Sequence, residues 1–151
     1  QSSASGNERW LRGGTRKFWR CVVSSTMLKP WLRECSSNSS FVPSGMVSDR
    51  LRYTEDVNAL APAAEFMRRA FNEPGILKGV ICHGFWLLAS IPETIRGRKV
   101  VCHNNLGGDL RNMGAEYVDA DVVVDGDDLV TGRTGMHAHV FARQCIAMGL
   151  L

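Results

Sequence analysis

One stretch constrains this chain more than any other: Lys78-Gly79-Val80-Ile81-Cys82-His83-Gly84-Phe85-Trp86-Leu87-Leu88-Ala89. An apolar segment of strand length stops at Cys-His-Gly, and a helix-like segment starts at once. A strand that turns sharply into a helix holds the residue at the bend up at the end of a sheet, the layout of a nucleophile elbow, here written with cysteine. Amides just beyond such a bend favour negative charge, and a thiol at a helix N-terminus is more acidic than a free one. His83, next in the chain, is a candidate base or cationic partner for the Cys82 thiol. Most free cysteines are small buried hydrophobes, so the dipeptide by itself leaves both readings open.

The rest of the chain alternates in the same way. Residues 76–81 read as a buried strand and residues 84–90 as a helix. Upstream, Val57, Leu60, Ala64, Met67 and Phe71 fall at helical spacing over residues 56–72. Pro62 fits that helix only near its first turn, and Asn72-Glu73-Pro74-Gly75 ends it. Residues 36–40 are polar with little strand propensity. They lead into Phe41-Val42 and a tight turn at Pro43-Ser44-Gly45. Residues 49–53 read as a short polar connection, and residues 92–97 as a loop.

Downstream, residues 99–103 are predicted as a strand and residues 109–113 as a helical turn ended by Gly114. Residues 116–118 and 122–124 are short strands. Asp125-Gly126 is a hairpin turn from which residues 129–131 return. The last helix is expected over residues 136–148, with Val140, Phe141, Gln144, Cys145 and Met148 on one face. Residues 1–15 read as loop and residues 18–23 as a strand. Strands alternating with helices predict an α/β sheet covered on both faces.

Composition excludes several classes. The chain has 151 residues, 44% hydrophobic and 22% charged, enough for one core. No apolar run approaches the roughly 18 residues that span a bilayer. The N-terminus lacks the basic-then-apolar order of a signal peptide, so a cytoplasmic protein without a membrane partner is expected. Cys21, Cys35, Cys82, Cys102 and Cys145 are odd in number, widely spaced and free of any CxxC pair. That argues against a disulfide scaffold and suits a reducing compartment. The net charge of +3 arises at one end: residues 1–40 carry seven Lys or Arg against two acidic residues, the remainder eleven against thirteen. Without an ordered basic and aromatic array, that segment reads as a solvated tail and not as a nucleic-acid surface.

No metal or cofactor is expected. His137, His139, His103 and Cys102 match no standard zinc spacing. The acidic run at Asp119, Asp121, Asp125, Asp127 and Asp128 lacks a calcium-loop pattern. Gly107-Gly108 is followed by no Lys-Ser/Thr pair. Cys102 and Cys145 lie on apolar faces and read as core, as do Trp86, Leu87 and Leu88.

Several pieces occur in a fixed order: Pro43-Ser44-Gly45, Ser48-Asp49-Arg50-Leu51-Arg52, Val80-Ile81-Cys82-His83-Gly84 and Gly97-Arg98-Lys99-Val100. Asp109 to Asp119 and the hairpin from Val124 to Thr134 follow. In that order they resemble the Pro-Gly-Gly turn, Pro-acid-Arg-x-Arg segment, Ala-Ile-Cys-His-Gly elbow and later elements of the ThiJ/PfpI family, part of the class I glutamine amidotransferase-like superfamily. The resemblance implies a flavodoxin-like three-layer sandwich with a mostly parallel sheet over residues 41–151, behind a poorly matched basic, Ser-rich segment at 1–40. It implies Cys82 as nucleophile, His83 as base and Asp49 as the triad carboxylate, which a neighbouring subunit can supply in this family. Gly45 N–H and His83 N–H would be the oxyanion donors. The implied activity is cysteine-dependent hydrolysis of a small-molecule or peptide substrate, peptidase/amidase or glyoxalase-like, by a homo-oligomer.

The family's opening strand and helix carry a glutamate close to the nucleophile. Residues 1–40 hold no counterpart, so an N-terminally truncated or degraded sheet is expected. An alternative reading stands beside the enzyme: a non-catalytic domain, redox-sensing or chaperone-like, in which Cys82 is an oxidisable thiol without turnover.

Overall fold

A computed structural model describes residues 39–42, 45 and 47–148. The strand expected at 18–23, the loop at 1–15, Cys21, Cys35 and the Pro43-Ser44 part of the turn lie outside the described residues. In chain order the elements are β1 (Ser39–Val42), α1 (Val47–Leu51), α2 (Pro62–Asn72), β2 (Leu77–Ile81) and a 3-10 helix over Cys82–Leu88. Then follow β3 (Lys99–Val100), α3 (Gly107–Asn112), β4 (Glu116–Tyr117), β5 (Val122–Asp125), β6 (Leu129–Gly132) and α4 (Ala138–Ala147).

β2 lies between β1 and β6 and runs parallel to both, while β5 closes the sheet antiparallel to β6. β3 and β4 form a separate parallel pair. A central strand with layers on both faces is buried along its whole length, and β2 is. Its period of two sorts the core. Leu77 and Ile81 pack with Val130, Phe141 and Cys145 on the α4 side. Val80 packs with Val42, Leu129, Ala64 and Met67 on the side of α2. Helix, sheet and helix make the three layers of an α/β flavodoxin-like fold. No helix among the described residues is long and apolar enough to cross a membrane.

Gly79, in mid β2, is required by its neighbours. A Cβ there would sit 2.6 Å from the Phe41 ring and 3.1 Å from the Phe141 ring. Those rings meet edge to face with centroids 6.1 Å apart. The missing side chain is the space the aromatic pair occupies.

β2 also carries a buried cation. Lys78 is 1% exposed, and its Nζ lies 2.8 Å from Asp128 Oδ2 and 5.9 Å from the centre of the Phe71 ring. Arg98 grips Asp128 as well, and its Nε donates to Asp125 Oδ2 at 2.6 Å. The acidic run of the sequence is thus partly a clamp that ties the β5–β6 hairpin to β2 and to the approach of β3.

The structure corrects several expected boundaries. The helix expected over 56–72 starts at Pro62, whose missing N–H costs nothing in a first turn, and Val57 is left 91% exposed. Residues 49–53 are not a plain connection: Val47–Leu51 is a helix with Asp49 in its first turn, where the helix dipole favours an acid. Only Ser48 of its five residues is buried, so no apolar period marks it. The polar 36–40 stretch ends inside β1. Ser40 is buried there because its backbone pairs with β2 and its hydroxyl donates to Met67 Sδ at 3.6 Å. β3 is shorter than residues 99–103, and the segment at 84–90 is a 3-10 helix that begins earlier, at Cys82. Before α4, a 3-10 turn at Gly135–His137 is capped by Thr134, whose side chain accepts from the Met136 N–H.

Candidate active site

β2 ends at Ile81, and the next residue takes a φ of +59°. Cys82 stands alone among the described non-glycine residues in that region. Such a backbone costs on the order of 1–3 kcal/mol. It turns the chain from strand into 3-10 helix within one residue, as an elbow requires. The Cys82 Sγ faces His83 Nδ1 at 3.1 Å. Cys82 is 5% exposed and belongs to the apolar cluster of Leu77, Ile81, Val130, Phe141 and Cys145. Ile81 at the helix start supplies no side-chain bond to the first amides.

His83 is framed by rings. Trp86 meets it edge-on with centroids 4.7 Å apart, and His103 lies tilted against it at 4.6 Å. Burial holds the His83 imidazole below its ordinary 6.5, the nearby His103 pushes the same way, and hydrogen bonding by the Asn105 side chain opposes both. A neutral imidazole at pH 7 can accept a proton from a thiol.

Asp49 is not brought to His83. Its Oδ1 takes Arg52 Nε at 2.9 Å and Nη2 at 2.8 Å. The Arg52 guanidinium in turn sits 5.8 Å from the centre of the Trp86 ring. Asp49 therefore reaches the imidazole only through Arg52 and Trp86, across the contact of α1 with the 3-10 helix. Gly45 occupies the bend before α1 with a φ of +125°, a conformation only glycine takes easily. Its carbonyl accepts from Ser48 N–H at 3.2 Å. An open hollow lined by Asp49, Arg50, Arg52, Tyr53, Thr54 and Val57 includes neither Cys82 nor His83.

The strands bring a second Cys-His dipeptide to the same place. After β3 the chain continues through Cys102 to His103, which caps a 3-10 turn at Asn104–Leu106. Asn105 Oδ1 lies 2.7 Å from His103 Nδ1. In the sequence His103 reads only as a candidate metal ligand. The usable signal was the repeat itself, Cys-His at the end of two apolar segments. The remaining candidates of that cluster go elsewhere: His137 Nδ1 pairs with Thr134 Oγ1 at 2.8 Å and its Nε2 lies 3.3 Å from Asp121. Among the described residues no three His, Cys, Asp or Glu side chains are placed to hold a metal ion. The Cys102 thiol is pushed up to about 12, first by burial and then by Cys82 and Asp109. Burial alone pushes the Cys145 thiol up to about 12.

Comparison with known proteins bears on the fold and on the family. The DJ-1/PfpI family profile matches residues 40–148. Protein/nucleic acid deglycase 2 of Escherichia coli is 44% identical over 68 residues, 45% of this chain and 39% of that protein. A deglycase of Pyrococcus horikoshii is 33% identical over 107 residues, 71% of this chain and 59% of that protein. The crystal structure of a two-domain protein with DJ-1/ThiJ/PfpI-like and ferritin-like domains from Anabaena variabilis superposes with a TM-score of 0.62 at 26% identity, over 73% of this chain and 29% of that one. The chain spans about half the length of the curated relatives it matches.

Proposed function

Because the chain belongs to the DJ-1/PfpI family, we propose that it acts as a cysteine-dependent hydrolase of the deglycase type, with Cys82 as nucleophile and His83 as base. One observation carries the reading: a cysteine held at φ +59° on a strand-to-helix bend, with its sulfur 3.1 Å from an imidazole nitrogen. The relatives named as deglycases favour this chemistry over amide cleavage.

The chemistry follows from the atoms present. The Cys82 proton passes to His83 Nδ1, leaving a thiolate and an imidazolium. The sulfur then attacks a carbonyl carbon of a small molecule or of a peptide-borne adduct. The S–C bond forms as the C=O π pair moves onto oxygen. The His83 N–H and the Gly45 N–H are the donors proposed for that oxyanion. The proton on Nδ1 is then available to the leaving group or to the oxyanion.

A second reading is favoured by one observation: among the described residues no carboxylate reaches His83, because Asp49 is held by Arg52. In that reading Cys82 oxidises without turnover. The deciding experiment compares the chain with Cys82→Ser on a glycated peptide, a small α-oxoaldehyde and a simple amide. Turnover of the first two that disappears in Cys82→Ser supports the enzyme. Equal rates for both proteins on all three substrates sink it.

A further inference from the structure

Among the described residues no carboxylate steadies His83, because Asp49 is held by Arg52. Rings do the steadying: Trp86 meets the imidazole edge-on at 4.7 Å, and His103 lies against it at 4.6 Å with a tilt of 36°. His103 stands on firm ground. Val100, Val101 and Cys102 before it are fully buried, and so is Leu106 after it. The Val101 N–H donates to Thr131 Oγ1 at 3.0 Å, and the Leu106 N–H to the His103 carbonyl at 2.9 Å. Arg133 Nη1 donates to Asn104 Oδ1 at 3.3 Å, which ties the same turn to the chain just after β6. The His103 ring is held in turn through Nδ1, with Asn105 Oδ1 2.7 Å away. Swinging it clear of His83 would break that bond.

We propose that His103 is a positioning residue of the Cys82–His83 pair: it holds the His83 ring by stacking and, because two imidazoles in contact carry only one positive charge between them, keeps His83 in the uncharged form that takes the thiol proton. Two imidazolium rings this close repel, and each disfavours the charged form of the other. The pair therefore takes up one proton near neutrality and not two. The other charged groups around His83 do not offset this. Arg52 stands behind Trp86 with its centre 5.8 Å from that ring, and Asp49 is spent on Arg52. On α2, which packs on the same 3-10 helix, Glu65 is paired with Arg68. Beyond Asn104, Asp119 is paired with Arg133. Burial comes first and His103 second among the causes that hold His83 low, in agreement with this arrangement. The consequence for turnover has two halves. Neutral His83 presents Nδ1, 3.1 Å from the sulfur, as the base. Once the Cys82 proton has moved to Nδ1, the imidazolium beside His103 is a stronger acid than an isolated one, so it gives that proton up more readily to the leaving group or the oxyanion.

This inference rests on His83 being the proposed base, and the test separates the two claims. The 151-residue chain, labelled with 15N histidine, is titrated by NMR as wild type, His103→Phe and His103→Gln. The rate of Cys82 alkylation by iodoacetamide is followed in each. His103→Phe keeps a ring against His83 and removes the charge. His103→Gln removes both and leaves a polar side chain on the turn. Both variants are expected to raise the titration midpoint of His83 and to speed Cys82 alkylation at pH 6 by about tenfold, the scale at which two sites titrate as a pair. The ring-current shift of the His83 protons is expected to survive in His103→Phe and to vanish in His103→Gln. A His83 midpoint that stays or falls in both variants overturns the proposal. A rise confined to His103→Gln also overturns it, since water admitted beside the ring would produce that. A midpoint raised in both with alkylation unchanged upholds the role of His103 and overturns His83 as the base.

Discussion

Asp49 grips Arg52 and not His83: two guanidinium nitrogens reach its Oδ1, at 2.8 and 2.9 Å. Both partners are more than a third exposed, and an exposed pair of this kind contributes about 0–1 kcal/mol. Asp49→Asn should therefore change the Cys82 alkylation rate by no more than about threefold. His83→Ala should slow it by about a hundredfold, the lower range for loss of a positioned base. A loss with Asp49→Asn as large as that with His83→Ala would restore the acid to the triad.

Two of the buried thiols are held protonated by their surroundings. Cys102 and Cys145 have their pKa pushed up to about 12, so almost none of either is thiolate at pH 8. Brief iodoacetamide treatment followed by peptide mapping should modify Cys82 and leave Cys102 and Cys145 unmodified in the native protein. In denaturant all three should react.

Gly79→Ala places a methyl carbon into the Phe41–Phe141 contact. The backbone at Gly79 is fixed by pairing on both sides, with β1 and with β6, so the rings must move. Overpacking of this kind costs about 1–3 kcal/mol. Chemical denaturation should report a lower midpoint with an unchanged slope.

Lys78 and Asp128 make the fold sensitive to acid. Burial pushes the Asp128 carboxyl up, but hydrogen bonds from Arg98 and Lys78 outweigh it and hold the group below its ordinary 3.8. A carboxylate whose folded pKa is depressed contributes stability that is complete above the unfolded value and fades as the pH falls through the folded one. Thermal stability should therefore decline below about pH 4, and Asp128→Asn should flatten that decline. At pH 7 Asp128→Ala should cost up to about 3 kcal/mol, because it leaves the buried Lys78 ammonium only the Glu73 carbonyl, 3.4 Å from Nζ. Lys78→Met should be far milder.

Much of the architecture was legible because it is written in apolar periods. The buried strand around Val80, the hairpin at Asp125-Gly126 and the face of α4 through Phe141 and Cys145 follow from side-chain spacing. The bend at Cys82 was legible because an apolar run stops there. What escaped was local and polar. α1 buries only Ser48, so its five residues show no period. Ser39-Ser40 belongs to β1 through backbone pairing, which composition does not record. The ion pair of Lys78 was not legible, because its counter-ion Asp128 is 50 positions away. The order of motifs put Asp49 beside His83, from the same chain or a neighbouring subunit; within one chain it is held by Arg52. His103 reaches the imidazole through the turn after β3, a closeness that only the folded chain creates.

The account rests on the sulfur of Cys82 being activated by the adjacent imidazole. The most direct measurement is the rate of Cys82 alkylation from pH 5 to 9 in wild type and in His83→Ala. The account predicts that wild-type labelling at pH 6 exceeds that of His83→Ala by about tenfold or more. Two superimposable curves would contradict it.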